Sequence, residues 1–180
     1  VWRGRGWDEP LRSVRFTGLT ATCLALALLA GLSGRGTALL RSGLPVALDA
    51  AHPVWEAQVP RQAVGSVVVE SSLSNSAGLA PGTPVAVVRL RDFSGRDLDW
   101  ILRAGRETGE WAVRRLDVAR LGTQAPTPWI SWVAGDFFAQ RYRSRWILPR
   151  LGHASVLRVE RASGAPPDLV LALQQVEIRK

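Results

Sequence analysis

The sequence predicts an all-β chain: an antiparallel β-sandwich or jelly roll preceded by one transmembrane α-helix. Three observations carry this. From Ser66 onward apolar residues recur at every second position, the period of a strand with one buried face. Gly, Pro, Asn and Asp interrupt that pattern at short spacing, with no convincing amphipathic helix and no βαβ rhythm. Ahead of it, Phe16 to Gly34 form 19 residues without a charge.

The charge-free run has its apolar centre from Leu24 to Leu32. At 1.5 Å per residue, about 20 residues cross a hydrocarbon layer of about 30 Å. Gly18, Ala21 and Ala25 are small enough to let a partner helix approach closely. Arg3, Arg5, Arg12 and Arg15 precede the run, whereas only Arg35 and Arg41 follow closely. The positive-inside bias therefore puts the N-terminus in the cytoplasm, and Trp2 and Trp7 suit the interface on that side. A cleaved signal peptide is the rival reading, with Leu32-Ser33-Gly34 as a mediocre small-residue site. The stretch is read here as a retained anchor. Cys23, the sole cysteine, lies at the start of the apolar run, which argues against a lipoprotein and rules out an intramolecular disulfide. There is no methionine even at position 1, as with a GUG start or a trimmed N-terminus.

Residues 35–65 carry Pro45, Pro53 and Pro60 and little period, so they read as a linker that packs partly on the domain, with Trp55 as its contact. SVVVESSL is the first expected strand. PVAVVRLRD and DLDWILRAG flank FSGR as a β-hairpin. A short helical turn fits between Glu107 and Gly122. In FFAQRYRSRWILP, Phe138, Tyr142, Trp146 and Leu148 fall on one face, and Arg141, Arg143 and Arg145 on the other. ASVLRVERA and DLVLALQQVEIRK complete the set, and the apolar phase changes between Leu173 and Val176, predicting a bulge near Gln174-Gln175. The expected organisation is a cytoplasmic segment over 1–15, a span over 16–34, a linker over 35–65 and a periplasmic sandwich over 66–180. That places the chain in a bacterial inner membrane.

The run TPVAVVRLRDFSGRDLDWILRAGRETGEWAVRRLDV, and RAGRETGEW above all, resembles extracytoplasmic β-sandwich domains of bacterial membrane proteins of the glycosyltransferase and surface-polysaccharide type. Those domains are similar to galactose-binding-like jelly rolls. The resemblance implies a fold and not an activity, because the chain has one apolar span and no polytopic catalytic part.

The formal net charge is +8, which invites a nucleic-acid reading. Lys180 is the only lysine, however, and over residues 36–180 there are 18 basic against 13 acidic side chains, so no nucleic-acid partner is expected. His52 and His153 stand far apart with no metal-ligand spacing. No GxSxG occurs. Asp97 and Asp99 share a strand face, where paired acids are more often surface charges than acid–base groups. No catalytic residue, metal or cofactor is therefore expected.

Trp100 and Trp146 read as core. Trp129 and Trp132 follow a Pro-rich loop and read as a contact surface. Arg141, Arg143 and Arg145 read as a solvated strand face, or else as a basic strip for lipid headgroups or an acidic partner. The functional expectation is a non-catalytic accessory subunit. Its partners are integral-membrane subunits, such as a bioenergetic or photosynthetic reaction centre–antenna assembly, and membrane lipids. The alternative is a membrane-anchored module that binds glycan.

Overall fold

The computed structural model describes residues 37–40 and 43–180. The expected span over 16–34, with Gly18, Ala21 and Ala25, lies outside the described residues, as does the cytoplasmic segment. Among the described residues no helix is long and apolar enough to cross a membrane.

Among the described residues nine strands and one short helix follow in order: β1 (Thr37–Leu40), β2 (Val46–Leu48), β3 (Val54–Gln58), β4 (Ala63–Ser74), β5 (Pro84–Asp92), β6 (Asp97–Arg103), α1 (Leu116–Ala119), β7 (Ile130–Ala134), β8 (Phe137–Arg161) and β9 (Val170–Arg179). Every pairing between strands is antiparallel. β1 and β2 share one edge of β9, which pairs with β4, which pairs with the first half of β8. The second half of β8 lies between β3 and β5, and β6 lies outside β5. The long β8 therefore belongs to two sheets. It turns the corner where Val64 pairs with Gly152 but Ser66 with Ile147, so residues 148–151 bulge opposite Gly65. Pro149 is tolerated there because a bulge leaves its missing N–H without a ladder role.

The core is the all-β, sandwich-like interior that the alternation implies. Val67 and Val69 of β4, Val85 and Val88 of β5, Leu102 of β6, Leu157 and Val159 of β8, and Leu171, Leu173, Val176 and Ile178 of β9 are fully buried. Trp100 of β6 stacks on Trp146 of β8 with ring centroids 6.0 Å apart, joining the two sheets at the core margin. The predicted hairpin forms: Asp92 accepts hydrogen bonds from the backbone N–H groups of Ser94 and Arg96 at its turn. The predicted bulge forms too, since Glu70 pairs with Gln175 and Ser71 with Leu173, leaving Gln174 extra.

Three expectations need correction. Residues 35–65 are not simply a linker: 37–58 hold three short strands, and Trp55 is buried within β3. Those strands are recruited by long neighbours, β9 and β8, rather than announced by period. Phe138 does not join Tyr142 and Trp146 inside; it is exposed because that part of β8 has run past the core into a projecting hairpin with β7. The arginine row is not uniformly solvated, because Arg141 and Arg143 are half-buried and ion-paired while Arg145 is exposed.

Candidate functional site: an arginine and tryptophan face

Opposite residues of antiparallel strands share a sheet face. On the outer face of the β1–β9–β4–β8 sheet this makes three cross-strand rows. Ile147, Ser66, Arg179 and Thr37 form one; Arg145, Val68, Glu177 and Leu39 the next; Arg143, Glu70 and Gln175 the third. Glu70 and Glu177 are buried here, and buried carboxylates require cationic or hydrogen-bonding partners. Arg143 supplies both: its Nε lies 3.4 Å from Glu70 Oε1, and its terminal nitrogen donates to Glu177 Oε1 at 2.8 Å. Arg141 stands 3.8 Å from Glu70, and Arg179 Nε donates to Glu177 at 2.7 Å. Burial alone would raise the Glu177 carboxyl. The hydrogen bond from Arg179 and the charges of Arg143 and Arg179 outweigh it, and the group lies below its ordinary value.

The two tryptophans lie against this network. Trp129 covers the Arg143 guanidinium at 4.3 Å from the ring centroid, and Trp132 lies 5.7 Å from Arg141. Both rings remain exposed, Trp129 by 54% and Trp132 by 38%. Five residues expected as contacts, Trp129, Trp132, Arg141, Arg143 and Arg145, thus fall in one region. Beyond them the β7–β8 hairpin projects with Ile130, Val133 and Phe138 also exposed. Arg115 of the neighbouring turn sits 6.0 Å from the Phe137 ring.

Behind the hairpin, RAGRETGEW has a definite structural task. Its end inserts between β4 and β8: Leu73 and Gly109 to Trp111 exchange backbone hydrogen bonds, and the Gln140 N–H donates to the Trp111 carbonyl. Glu110 is buried, and its carboxylate accepts from the Ser76 N–H and hydroxyl, both at 2.9 Å. The buried Tyr142 hydroxyl donates to the Glu110 carbonyl at 2.9 Å. Burial, aided by the Glu110 charge, pushes that phenol well above its ordinary value. Sequence reasoning missed Glu70 and Glu177, whose only mark was a charge within an apolar strand run, and it read Glu110 as a local ion pair of Arg103 or Arg106, whereas its carboxylate accepts from Ser76.

The remaining polar groups are arranged as structure. Asp99 makes a two-pronged pair with Arg89 at 2.8 and 2.7 Å, and Asp97 does the same with Arg91 at 2.8 and 3.0 Å. These hydrogen bonds hold both carboxyls below the usual range. They are directly opposite partners in the β5–β6 register. His52 and His153 are both exposed and lie on different parts of the chain. Among the described residues, no group of three His, Cys, Asp or Glu side chains is placed to hold a metal ion. A cleft of about 560 Å³ opens at the β8 corner between Leu90, Leu98, Leu148 and His153. Both carboxylates of its lining are already occupied, Asp92 by Ser94 and Arg96 and Asp97 by Arg91.

No protein-family model, no curated protein and no solved structure matches this chain. Its function has to be argued from the residues.

Proposed function

We propose that the chain is a non-catalytic, single-pass membrane protein that serves as a structural or accessory subunit of a larger integral-membrane complex. Bioenergetic complexes, including photosynthetic reaction centre–antenna particles, are the kind of assembly meant. The observation that carries this reading is the projecting β7–β8 hairpin. It exposes Ile130 and Trp132 on the face that carries Arg141, and Val133 and Phe138 on the opposite face, with Trp129 and the arginines at its base. Large apolar side chains held out on a projecting hairpin mark a contact surface, and tryptophan and arginine are among the residues enriched at binding hot spots. The charge-free run over 16–34 supports tethering at the bilayer, where such partners are within reach.

Mild-detergent extraction of the native protein, followed by size separation and identification of co-migrating proteins, tests the reading. Co-migration with a stoichiometric set of integral-membrane proteins is expected. Migration alone, in its own micelle, would falsify it. A second reading, a glycan-binding module, draws on the same exposed tryptophan rings. Glycan-array binding lost on Trp129→Ala or Trp132→Ala would favour that reading instead.

A further inference from the structure

We infer that the outer face of the β1–β9–β4–β8 sheet lies flat against an anionic lipid surface, with Arg145, Arg179, Ile147 and Leu39 in contact with the headgroup layer. The inference rests on the membrane-anchored reading and adds an orientation and a lipid class to it.

Charge comes first. Four guanidinium groups, those of Arg141, Arg143, Arg145 and Arg179, share this region with the two carboxylates of Glu70 and Glu177. Both carboxylates are buried, and Arg143 lies between them, so the charge left facing outward is positive. Arg145 makes only a long hydrogen bond to Ser66 Oγ, 3.3 Å, and its side chain is exposed. A planar guanidinium suits phosphate oxygens, and basic residues beside a span are drawn to anionic lipid.

The apolar components come next. Ile147 is 70% exposed on the same row as Arg179, and Leu39 is 40% exposed on the row of Arg145. An isoleucine at that exposure on a flat strand face has no role in the core. Beside these arginines it suits a membrane–water interface, where long cationic side chains bridge an apolar and a wet layer.

Chain connectivity then chooses the lipid over a soluble partner. β1 begins at Thr37, only two residues after Gly34 closes the charge-free run. Those two residues and their flanking bonds reach about 10 Å at full extension. Thr37 belongs to the first row of this face, so the strand that follows the charge-free run most closely in sequence is part of the face. The hairpin tip, by contrast, lies several residue rises further along β8, which leaves it free for a protein partner.

The test uses the full chain with Cys23→Ser, so that a single introduced cysteine can carry an environment-sensitive fluorophore. One form carries it through Ile147→Cys, the other through Phe93→Cys at the exposed β5–β6 turn. Each is reconstituted into vesicles of phosphatidylcholine alone or with phosphatidylglycerol added. With no other protein present, any shielding comes from lipid. The expected result is a blue shift and quenching by headgroup-borne quencher at position 147 in the anionic vesicles, with none at position 93. Arg145→Glu should abolish the signal at 147. An equal response at both positions overturns the proposal, as does a 147 signal that is the same in neutral vesicles. If the protein floats with vesicles but position 147 stays in water, the lipid face fails while anchoring stands. If it does not float with vesicles, the anchored reading and this inference fall together.

Discussion

The Arg143 guanidinium lies 4.3 Å from the centroid of the Trp129 ring while donating to Glu177 at 2.8 Å. One arginine thus ties the exposed aromatic loop to two buried carboxylates on neighbouring strands. Its loss has a calculable consequence. Arg143→Ala leaves Glu70 and Glu177 buried with weaker compensation, and removing one partner of a buried pair is far costlier than never having made it. The expected destabilisation is about 2–4 kcal/mol, the upper part of the range being lowered by the residual exposure of Arg143. Urea unfolding measures it. Combining Arg143→Ala with Glu177→Gln should recover part of the loss, because the uncompensated charge is gone.

Glu177 also makes stability depend on acid. Its carboxyl is held below the ordinary value of 4.5, so between the folded and unfolded values the unfolded chain binds the extra proton. The stabilisation is fully present above the unfolded value and is lost as pH falls through the folded one. Urea midpoints of the native chain should fall as pH is lowered below about 4.5, and Glu177→Gln should flatten that slope. An unchanged slope in the variant would assign the dependence to other carboxylates.

At the other end of the pH scale Tyr142 is the reporter, and it is the only tyrosine in the chain. Its phenol is raised above the ordinary value of 10.0, so the unfolded chain ionises first. Stability should decline as pH rises past 10.0, and phenolate absorbance should appear together with loss of the fold rather than ahead of it. Phenolate formed in the intact fold would contradict the buried hydrogen bond to the Glu110 carbonyl.

Gly109 is required by space, not by backbone angle. A Cβ built there would meet Ala125 Cβ at 2.9 Å, Pro126 Cδ at 3.1 Å and Tyr142 Cζ at 3.1 Å. None of these is the end of a flexible chain. Gly109→Ala should cost about 1–3 kcal/mol through overpacking, measured by thermal or urea unfolding. Gly164→Ala, where nothing lies within 4 Å of the added carbon, is the matching control and should be nearly neutral.

The hairpin gives the functional prediction its separation from stability. Trp132→Ala with Val133→Ser removes apolar surface from a strand paired only with β8 and exposed along nearly its whole length. The unfolding midpoint should shift little, within about 1 kcal/mol. Co-migration with membrane partners after mild extraction should be lost. Retained co-migration would move the contact away from β7.

Much of the β architecture was legible because it is written in local period. The β5–β6 hairpin, the long alternation of β8 and the phase change at Gln174 each follow from side chains alternating across a pleat, which neighbouring residues specify among themselves. The pairing of Arg89 with Asp99 was not read there, since Asp99 stood only as a surface charge until the register set Arg89 opposite it. The short strands over 37–58 were not legible. Three to five residues with prolines nearby lack a period of their own and acquire strand geometry only from the edges of β9 and β8. The sign of Phe138 was hidden for a related reason: alternation tells which residues share a face, not where along the strand the core ends. Above all, the partners of Arg143 lie 73 residues before it and 34 after it, at Glu70 and Glu177. By itself the sequence determined the all-β class of the described domain and named the candidate residues Trp129, Trp132, Arg141, Arg143 and Arg145. Only the tertiary structure decided that two buried carboxylates gather Arg141 and Arg143 beneath the tryptophans, because a charge pair between strands distant in sequence depends on sheet order and register, which no local pattern encodes.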